Sequence, residues 1–207
     1  MKVYLDNAAS SKLRPEVLEE MLPYLTNTFG NPSSTHSFGR TSKAAIELAR
    51  KKIAKHLGAS PSEIYFCASG TEANNLAVKL AVENLGVERI ITSKIEHKCV
   101  LNTCNYLQET KKVDLEYVQL SSLGETDYND LERLIKKSSK KTLVSLMHVQ
   151  NELGTINDLS KISSICKENN ALFHSDTVQS IGHLPFNLKE TEVDFISASA
   201  HKFNGPL

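Results

Sequence analysis

Near the end of the sequence an apolar, strand-like run, Asp194 to Ala198, passes into Ser199-Ala200-His201-Lys202-Phe203-Asn204-Gly205-Pro206. A lysine carried just past a buried strand loses solvent, which favours the neutral amine that attacks a carbonyl carbon. Lys202 is therefore a candidate Schiff-base lysine. Asp176 follows another strand-like run, Ala171 to Ser175, and a buried carboxylate is costly unless it meets a cation. A protonated pyridine nitrogen would supply that cation, and Gln179, close behind, could reach the same ring. Ser69-Gly70-Thr71 opens a helix-like stretch where the backbone N–H groups of Gly70 and Thr71, with two hydroxyls, make a phosphate cradle. His97 opens another, where an imidazole could stack on a flat ring or shuttle a proton. Asn151, after the run Thr142 to His148, could donate its amide to a ring hydroxyl. Taken singly, each has an ordinary reading: a surface lysine, a plain N-cap, a surface histidine, a turn-forming asparagine.

The elements that must position these residues follow from periodicity. Helical patterns cover Arg14 to Leu25, which Pro23 is expected to distort or end, and Thr41 to Leu57, which Gly58 closes. Between them Thr28 to His36 reads as a loop. Strand-like runs at Ile64 to Ala68, Arg89 to Ser93, Leu115 to Leu120, Thr142 to His148, Ala171 to Ser175 and Asp194 to Ala198 then alternate with helices. Those helices are Thr71 to Asn84, His97 to Thr110, Asp127 to Lys137 and Leu159 to Asn169. Such alternation predicts an α/β fold, a mainly parallel, doubly wound sheet with helices on both faces. Ligands of such sheets lie beyond the carboxyl ends of the strands, where the candidate residues fall.

The composition bounds the function. Lysine plus arginine equals aspartate plus glutamate at 24 each, so no net field argues for nucleic acid or a charged membrane surface. No apolar run reaches the ~20 residues of a membrane span. Cys67, Cys99, Cys104 and Cys166 are scattered without a CxxC pair, which predicts reduced thiols and a cytoplasmic address. None of the seven histidines falls in a recognised metal-ligand spacing, and no metal is expected.

Together the motifs carry a resemblance. Tyr4-Leu5-Asp6-Asn7-Ala8-Ala9-Ser10, Phe29-Gly30-Asn31-Pro32-Ser33-Ser34, Ser69-Gly70-Thr71-Glu72-Ala73-Asn74-Asn75 and Thr92-Ser93-Lys94-Ile95-Glu96-His97 resemble the cysteine desulfurases. So do Met147 to Gly154, Asp176-Thr177-Val178-Gln179-Ser180 and Ser197 to Pro206, in the same order. These are pyridoxal-phosphate enzymes of the class V aminotransferase group, with the fold-type I large domain.

The resemblance implies that Lys202 carries pyridoxal 5′-phosphate, that Asp176 pairs with its ring nitrogen and that His97 stacks on the ring. Asn151 and Gln179 would bond the 3′-oxygen region. Gly70, Thr71, Ser199 and His201 would hold the phosphate, and Asn7, Ala8 and Asn31 would lie near the substrate. It implies residues 1–35 as a substrate-side arm and loop and 36–207 as the cofactor-binding large domain. The activity implied is L-cysteine to L-alanine, with sulfur passed to an enzyme persulfide for iron-sulfur cluster assembly. The partners implied are a second copy of the chain in a homodimer and an iron-sulfur scaffold or other sulfur acceptor. Selenocysteine lyase or another class V aminotransferase relative is an alternative, as is a non-catalytic fragment that keeps a dimerisation or partner surface. Family members continue past the lysine loop for about as many residues again, so the sequence is expected to be an N-terminal portion. The small domain, the carboxylate-binding arginine and the nucleophilic cysteine would lie in the remainder; none of the four cysteines here matches that cysteine.

Overall fold

The computed structural model describes all 207 residues and divides into two compact units. One is formed by Cys67–Pro185 with Glu190–Ser199, the other by Met1–Phe66, Phe186–Lys189 and Ala200–Leu207.

The first unit is built on a five-stranded parallel sheet in the order β2-β1-β3-β4-β5. Its strands are β1 (Arg89–Thr92), β2 (Asp114–Tyr117), β3 (Thr142–Ser145), β4 (Leu172–Asp176) and β5 (Phe195–Ser197). β1 and β3 are buried along their whole length, the signature of strands covered on both faces, whereas β2 at one edge is half-exposed. The covering helices are α3 (Gly70–Glu83), α4 (Lys98–Lys111), α5 (Tyr128–Lys136) and α6 (Leu159–Glu168). The crossover through α4 steps one way along the sheet, and those through α5 and α6 step the other. Right-handed crossovers thus put α4 on one face and α5 and α6 on the opposite one. In keeping with this, α3 packs on α4 and α5 on α6. Val78, Ala81, Ile90, Val100, Cys104, Leu107 and Leu143 form the dry core between α3, α4 and the sheet. The direction of winding changes between β1 and β3, and a crevice for ligands opens at such a point.

Each of these four helices starts on a side chain that satisfies an orphan N–H. Ser69 accepts from Glu72 N, His97 from Cys99 N, Asp127 from Asn129 N and Asp130 N, and Asp158 from Lys161 N.

The second unit holds α1 (Pro15–Thr26) and α2 (Ser37–Leu57). α1 runs through Pro23 rather than ending there, since the proline forfeits only its own N–H and its carbonyl still accepts from Asn27 N at 2.9 Å. α2 starts at Ser37, a turn earlier than periodicity predicts, because His36 Nδ1 accepts from Gly39 N and caps it. The apolar run expected as a strand at Ile64 to Ala68 joins no ladder. Arg50 of α2 takes it instead: its guanidinium donates to the Ile64 carbonyl and lies 4.9 Å from the Phe66 ring centroid. The N-terminal arm is bound to the lysine segment in this unit. Ser11 N and Oγ donate to the His201 carbonyl at 2.9 and 2.7 Å, Arg14 N donates to the Asn204 carbonyl, and Asn204 Nδ2 donates to the Lys12 carbonyl.

Candidate active site

The carboxyl end of the sheet in the first unit gathers most of the candidate residues. Asp176 is the last residue of β4 and only 4% exposed. Both of its oxygens accept hydrogen bonds: Oδ2 from Asn74 Nδ2 at 2.7 Å and Oδ1 from the Val178 N–H at 3.0 Å. Such donors stabilise the ionised carboxyl that a ring nitrogen would need as its counter-ion.

Gly70 and Thr71 begin α3 beside that carboxylate. Ser69 occupies the N–H groups of Glu72 and Ala73 with its hydroxyl and its carbonyl, which leaves Gly70 N and Thr71 N as orphan donors of the first turn. A Cβ on Gly70 would come within 2.9 Å of Val178 Cγ2 and 3.4 Å of Ser199 Cβ, so the absence of a side chain lets the α3 terminus approach the segments after β4 and β5. Ser199, half-buried, therefore stands against the same helix end. Two backbone donors at a positive helix terminus with a hydroxyl alongside are groups that could hold a phosphate dianion.

His97 caps α4 with an exposed ring. Its Nδ1 accepts from Cys99 N at 3.2 Å and lies 2.9 Å from Cys99 Sγ, so the neutral ring carries its proton on Nε2. Cys99 also receives Asn74 Nδ2 at 3.5 Å, and burial raises its thiol above the usual range, so it stays protonated. Asn151 sits half-buried in the turn after β3, where Gln150 holds the backbone by accepting from Glu152 N and Leu153 N. Gln179 lies half-buried in the turn after β4. His97, Asn151, Asp176, Gln179 and Ser199 thus follow strands of one unit, and Gly70 and Thr71 open a helix of the same unit.

Lys202, His201, Asn7, Ala8 and Asn31 belong to the other unit. Lys202 ends a single turn of 3-10 helix, Ala200–Lys202, and its Nζ donates to the Ala8 carbonyl at 2.5 Å and the Ala9 carbonyl at 3.1 Å. The lysine and Ala8 of the arm are therefore neighbours. His201 Nδ1 lies 3.4 Å from Ser10 Oγ, and burial together with the Lys202 charge lowers its pKa. Asn31 shapes its own loop, its Oδ1 accepting from Ser33 N at 2.9 Å.

Sequence reasoning passed over four residues around the carboxylate: Asn74, His174, Ser197 and Glu96. Asn74 Oδ1 receives Ser197 Oγ at 2.5 Å and His174 Nε2 at 3.1 Å, and His174 Nδ1 lies 2.8 Å from Ser145 Oγ. Glu96 Oε1 accepts from Ser93 Oγ and Met147 N. The signal was available for Asn74: with Gly70, Ala77, Val78 and Ala81 it falls on the buried stripe of α3, where a polar side chain has to be partnered. His174 offered the same signal, as a polar residue inside a strand buried on both faces.

Comparison with known proteins gives the family of the chain. The model of the class-V aminotransferase family matches residues 3–207. The chain is 47% identical to a cysteine desulfurase IscS of Dictyoglomus turgidum over 99% of its own length and 52% of that protein's. A solved NifS-like protein superposes with a TM-score of 0.93 at 42% identity, over all of this chain and 57% of the other. SspA, solved in complex with cysteine, gives a TM-score of 0.92 at 39% identity, over 99% of this chain and 59% of that one. The chain spans about half the length of the curated relatives it matches.

Proposed function

Since the chain belongs to the class-V aminotransferase family, we propose that it is the N-terminal portion of a pyridoxal-phosphate-dependent cysteine desulfurase, which converts L-cysteine to L-alanine and passes the sulfur on for iron-sulfur cluster assembly. The observation that carries this reading is Asp176, a buried carboxylate with a donor on each oxygen, at the carboxyl end of β4 and beside the phosphate-type cradle of Gly70, Thr71 and Ser199.

The donor set fits pyridoxal phosphate. Asp176 would take the ring nitrogen, Gly70, Thr71, Ser199 and His201 the phosphate, His97 a ring face, and Asn151 and Gln179 the 3′-oxygen region. Bound there, the group supplies an electron sink for charge developing at the substrate α-carbon. The chain's own contribution is fixed charge and aim. Asp176, its carboxylate held by Asn74 and Val178, would keep a proton on the ring nitrogen. Lys202 would supply the amine that holds the cofactor and a base for the substrate α-carbon. The carbonyls of Ala8 and Ala9 hold its Nζ. Asn7, Ala8 and Asn31 would lie near the substrate. Residues 1–35 would act as the substrate-side arm and 36–207 as the cofactor-binding domain.

A homodimer and an iron-sulfur scaffold or other sulfur acceptor are the partners proposed with this activity. A cytoplasmic address is proposed on the four unpaired thiols. No helix is long and apolar enough to cross a membrane.

Borohydride reduction of the chain equilibrated with pyridoxal phosphate, followed by peptide mapping, is expected to find the pyridoxyl group on Lys202. Labelling of other lysines alone, or of none, would overturn the assignment.

A further inference from the structure

The contacts around Asp176 fix one another's protons. A carboxylate only accepts, so the atom of Asn74 that faces Asp176 Oδ2 at 2.7 Å has to be the amide nitrogen. The amide oxygen is then turned to Ser197 Oγ and His174 Nε2, both of which must donate to it. With Nε2 carrying the proton, neutral His174 accepts on Nδ1 from the Ser145 hydroxyl at 2.8 Å. The donations thus run one way, from Ser145 through His174 and Asn74 to Asp176. Ser145, His174, Asn74, Ser197 and Asp176 are all buried, with His174 and Ser145 at 0% exposure. A buried network with every member satisfied holds its geometry far better than a lone pair of groups, and reversing any one bond would leave an unpartnered polar atom.

We propose that Asn74, held in one orientation by His174 and Ser197, is a positioning residue that keeps the Asp176 carboxyl ionised and aimed, with His174 acting through it. The proposal rests on the cofactor reading for its purpose and on the hydrogen bonds alone for its substance. His174 is suited to the task because burial pushes its pKa down to about 4, so it stays a neutral, single-tautomer donor.

Two measurements on the whole chain test this. The first needs no cofactor: ¹⁵N NMR of the imidazoles is expected to show His174 as the neutral Nε2–H tautomer, and ¹³C NMR of the carboxyls to show Asp176 ionised near neutral pH. Asn74→Asp keeps the shape but replaces the donor by a second carboxyl, and the two are expected to share a proton, moving the Asp176 signal. His174→Gln, which can still donate to Asn74, is expected to preserve that signal, whereas His174→Phe is expected to shift it. The second is binding: Asn74→Asp should weaken uptake of pyridoxal phosphate roughly tenfold or more, the factor carried by one hydrogen bond to a charged group, and His174→Gln should restore what His174→Phe loses. An Nδ1–H tautomer, or an Asp176 signal unmoved in folded Asn74→Asp and His174→Phe, would overturn the proposal. Failure of the unaltered chain to take up pyridoxal phosphate would instead overturn the cofactor reading, and the NMR signals would still decide the role of Asn74.

Discussion

Glu96 Oε1 accepts the Met147 N–H at 3.1 Å, joining the loop after β1 to the end of β3 where the direction of winding changes. The same oxygen receives Ser93 Oγ at 2.8 Å, while Oε2 is buried without a hydrogen-bond partner. Burial is the main reason the carboxyl is pushed up to about 8; the two hydrogen bonds pull it down, and the nearby Asp176 charge adds to the rise. The sign for stability follows. The unfolded chain releases this proton near the ordinary 4.5 and the folded chain only near 8, so stability is full at low pH and is lost as pH rises through that window. The slope from this group is about 1.4 kcal/mol per pH unit. Urea unfolding at pH 6.5, 7.25 and 8 is expected to show it. Glu96→Gln, which keeps an acceptor for Met147 and Ser93, is expected to abolish it and to gain about 1–3 kcal/mol over the unaltered chain at the top of the range. Equal slopes in the two proteins would show that Glu96 is ionised in the fold.

His174 gives the opposite slope at lower pH. Its folded pKa of about 4 lies below the 6.5 of the free side chain, so its contribution is full above 6.5 and is lost as pH falls towards 4. Between about pH 4.5 and 6.5 the two buried groups oppose each other, and the chain is expected to be nearly indifferent to pH from this pair. In Glu96→Gln the opposing carboxyl slope is gone and the histidine slope is uncovered, so that variant is expected to lose more stability on acidification from pH 6.5 to 5 than the unaltered chain does. A Glu96→Gln variant that keeps its stability from pH 6.5 to 5 would remove His174 as the acid-sensitive group.

Thiol labelling reads the candidate site directly. Cys104 is 0% and Cys166 2% exposed, and burial pushes both thiols up to about 12, so neither should react before the chain unfolds. Cys99 and Cys67 are half-exposed. Cys99 touches His97 and Asn74, so pyridoxal phosphate is expected to slow its alkylation by N-ethylmaleimide and to leave Cys67 unchanged. Mass mapping with and without the ligand checks this; equal protection of both cysteines would point to a general tightening rather than to occupancy beside Cys99.

Much of this arrangement was legible in the chain because the α/β alternation is regular. The strand ends then follow from the strands, and His97, Asn151, Asp176, Gln179 and Ser199 fall at them, whereas Gly70 and Thr71 open α3 after a segment that forms no strand. What stayed hidden has two physical sources. Tertiary partners override local pattern: Ile64 to Phe66 has the composition of a strand, but Arg50 claims its carbonyl and its ring, and no ladder forms. Pairing across long sequence separations is the other. Asn74 and Asp176 are 102 positions apart, and nothing local to either names the other. Arg89 combines both, since a charged residue opening a strand reads as solvent-facing and is in fact fully buried.

That arginine is also a stability determinant. Arg89 Nε donates to Glu116 Oε1 at 2.8 Å, while its Nη groups reach the carbonyls of Leu134 and Ile135 in the last turn of α5. The charge thus meets a carboxylate and the negative end of a helix together. Lysine cannot span three acceptors with one ammonium, so Arg89→Lys is expected to cost about 2–3 kcal/mol in urea unfolding despite keeping the charge. Glu116→Gln, at a side chain 24% exposed, should cost less than Arg89→Lys. The reverse order would make the ion pair, not the helix carbonyls, the main partner of Arg89.

Gly39 ties the Asn31 loop to α2, and its replacement should show what that attachment contributes. A Cβ there would meet the Ser34 carbonyl oxygen at 2.3 Å and the Asn31 carbonyl oxygen at 2.6 Å, both backbone atoms that cannot swing aside. Helix propensity alone favours alanine over glycine by roughly 1 kcal/mol in a helix interior. If propensity ruled, Gly39→Ala would stabilise the chain. The close approach is expected to win, because the loop must move bodily to relieve two backbone overlaps, and the variant should lose about 1–3 kcal/mol in urea unfolding. The displacement should also free Ser34 N from the Asn31 carbonyl, where it now donates at 3.0 Å, so hydrogen exchange at Ser34 is expected to accelerate. A stabilised variant with unchanged exchange at Ser34 would mean that the loop yields without cost, and Asn31 would then owe its placement to its own turn rather than to α2.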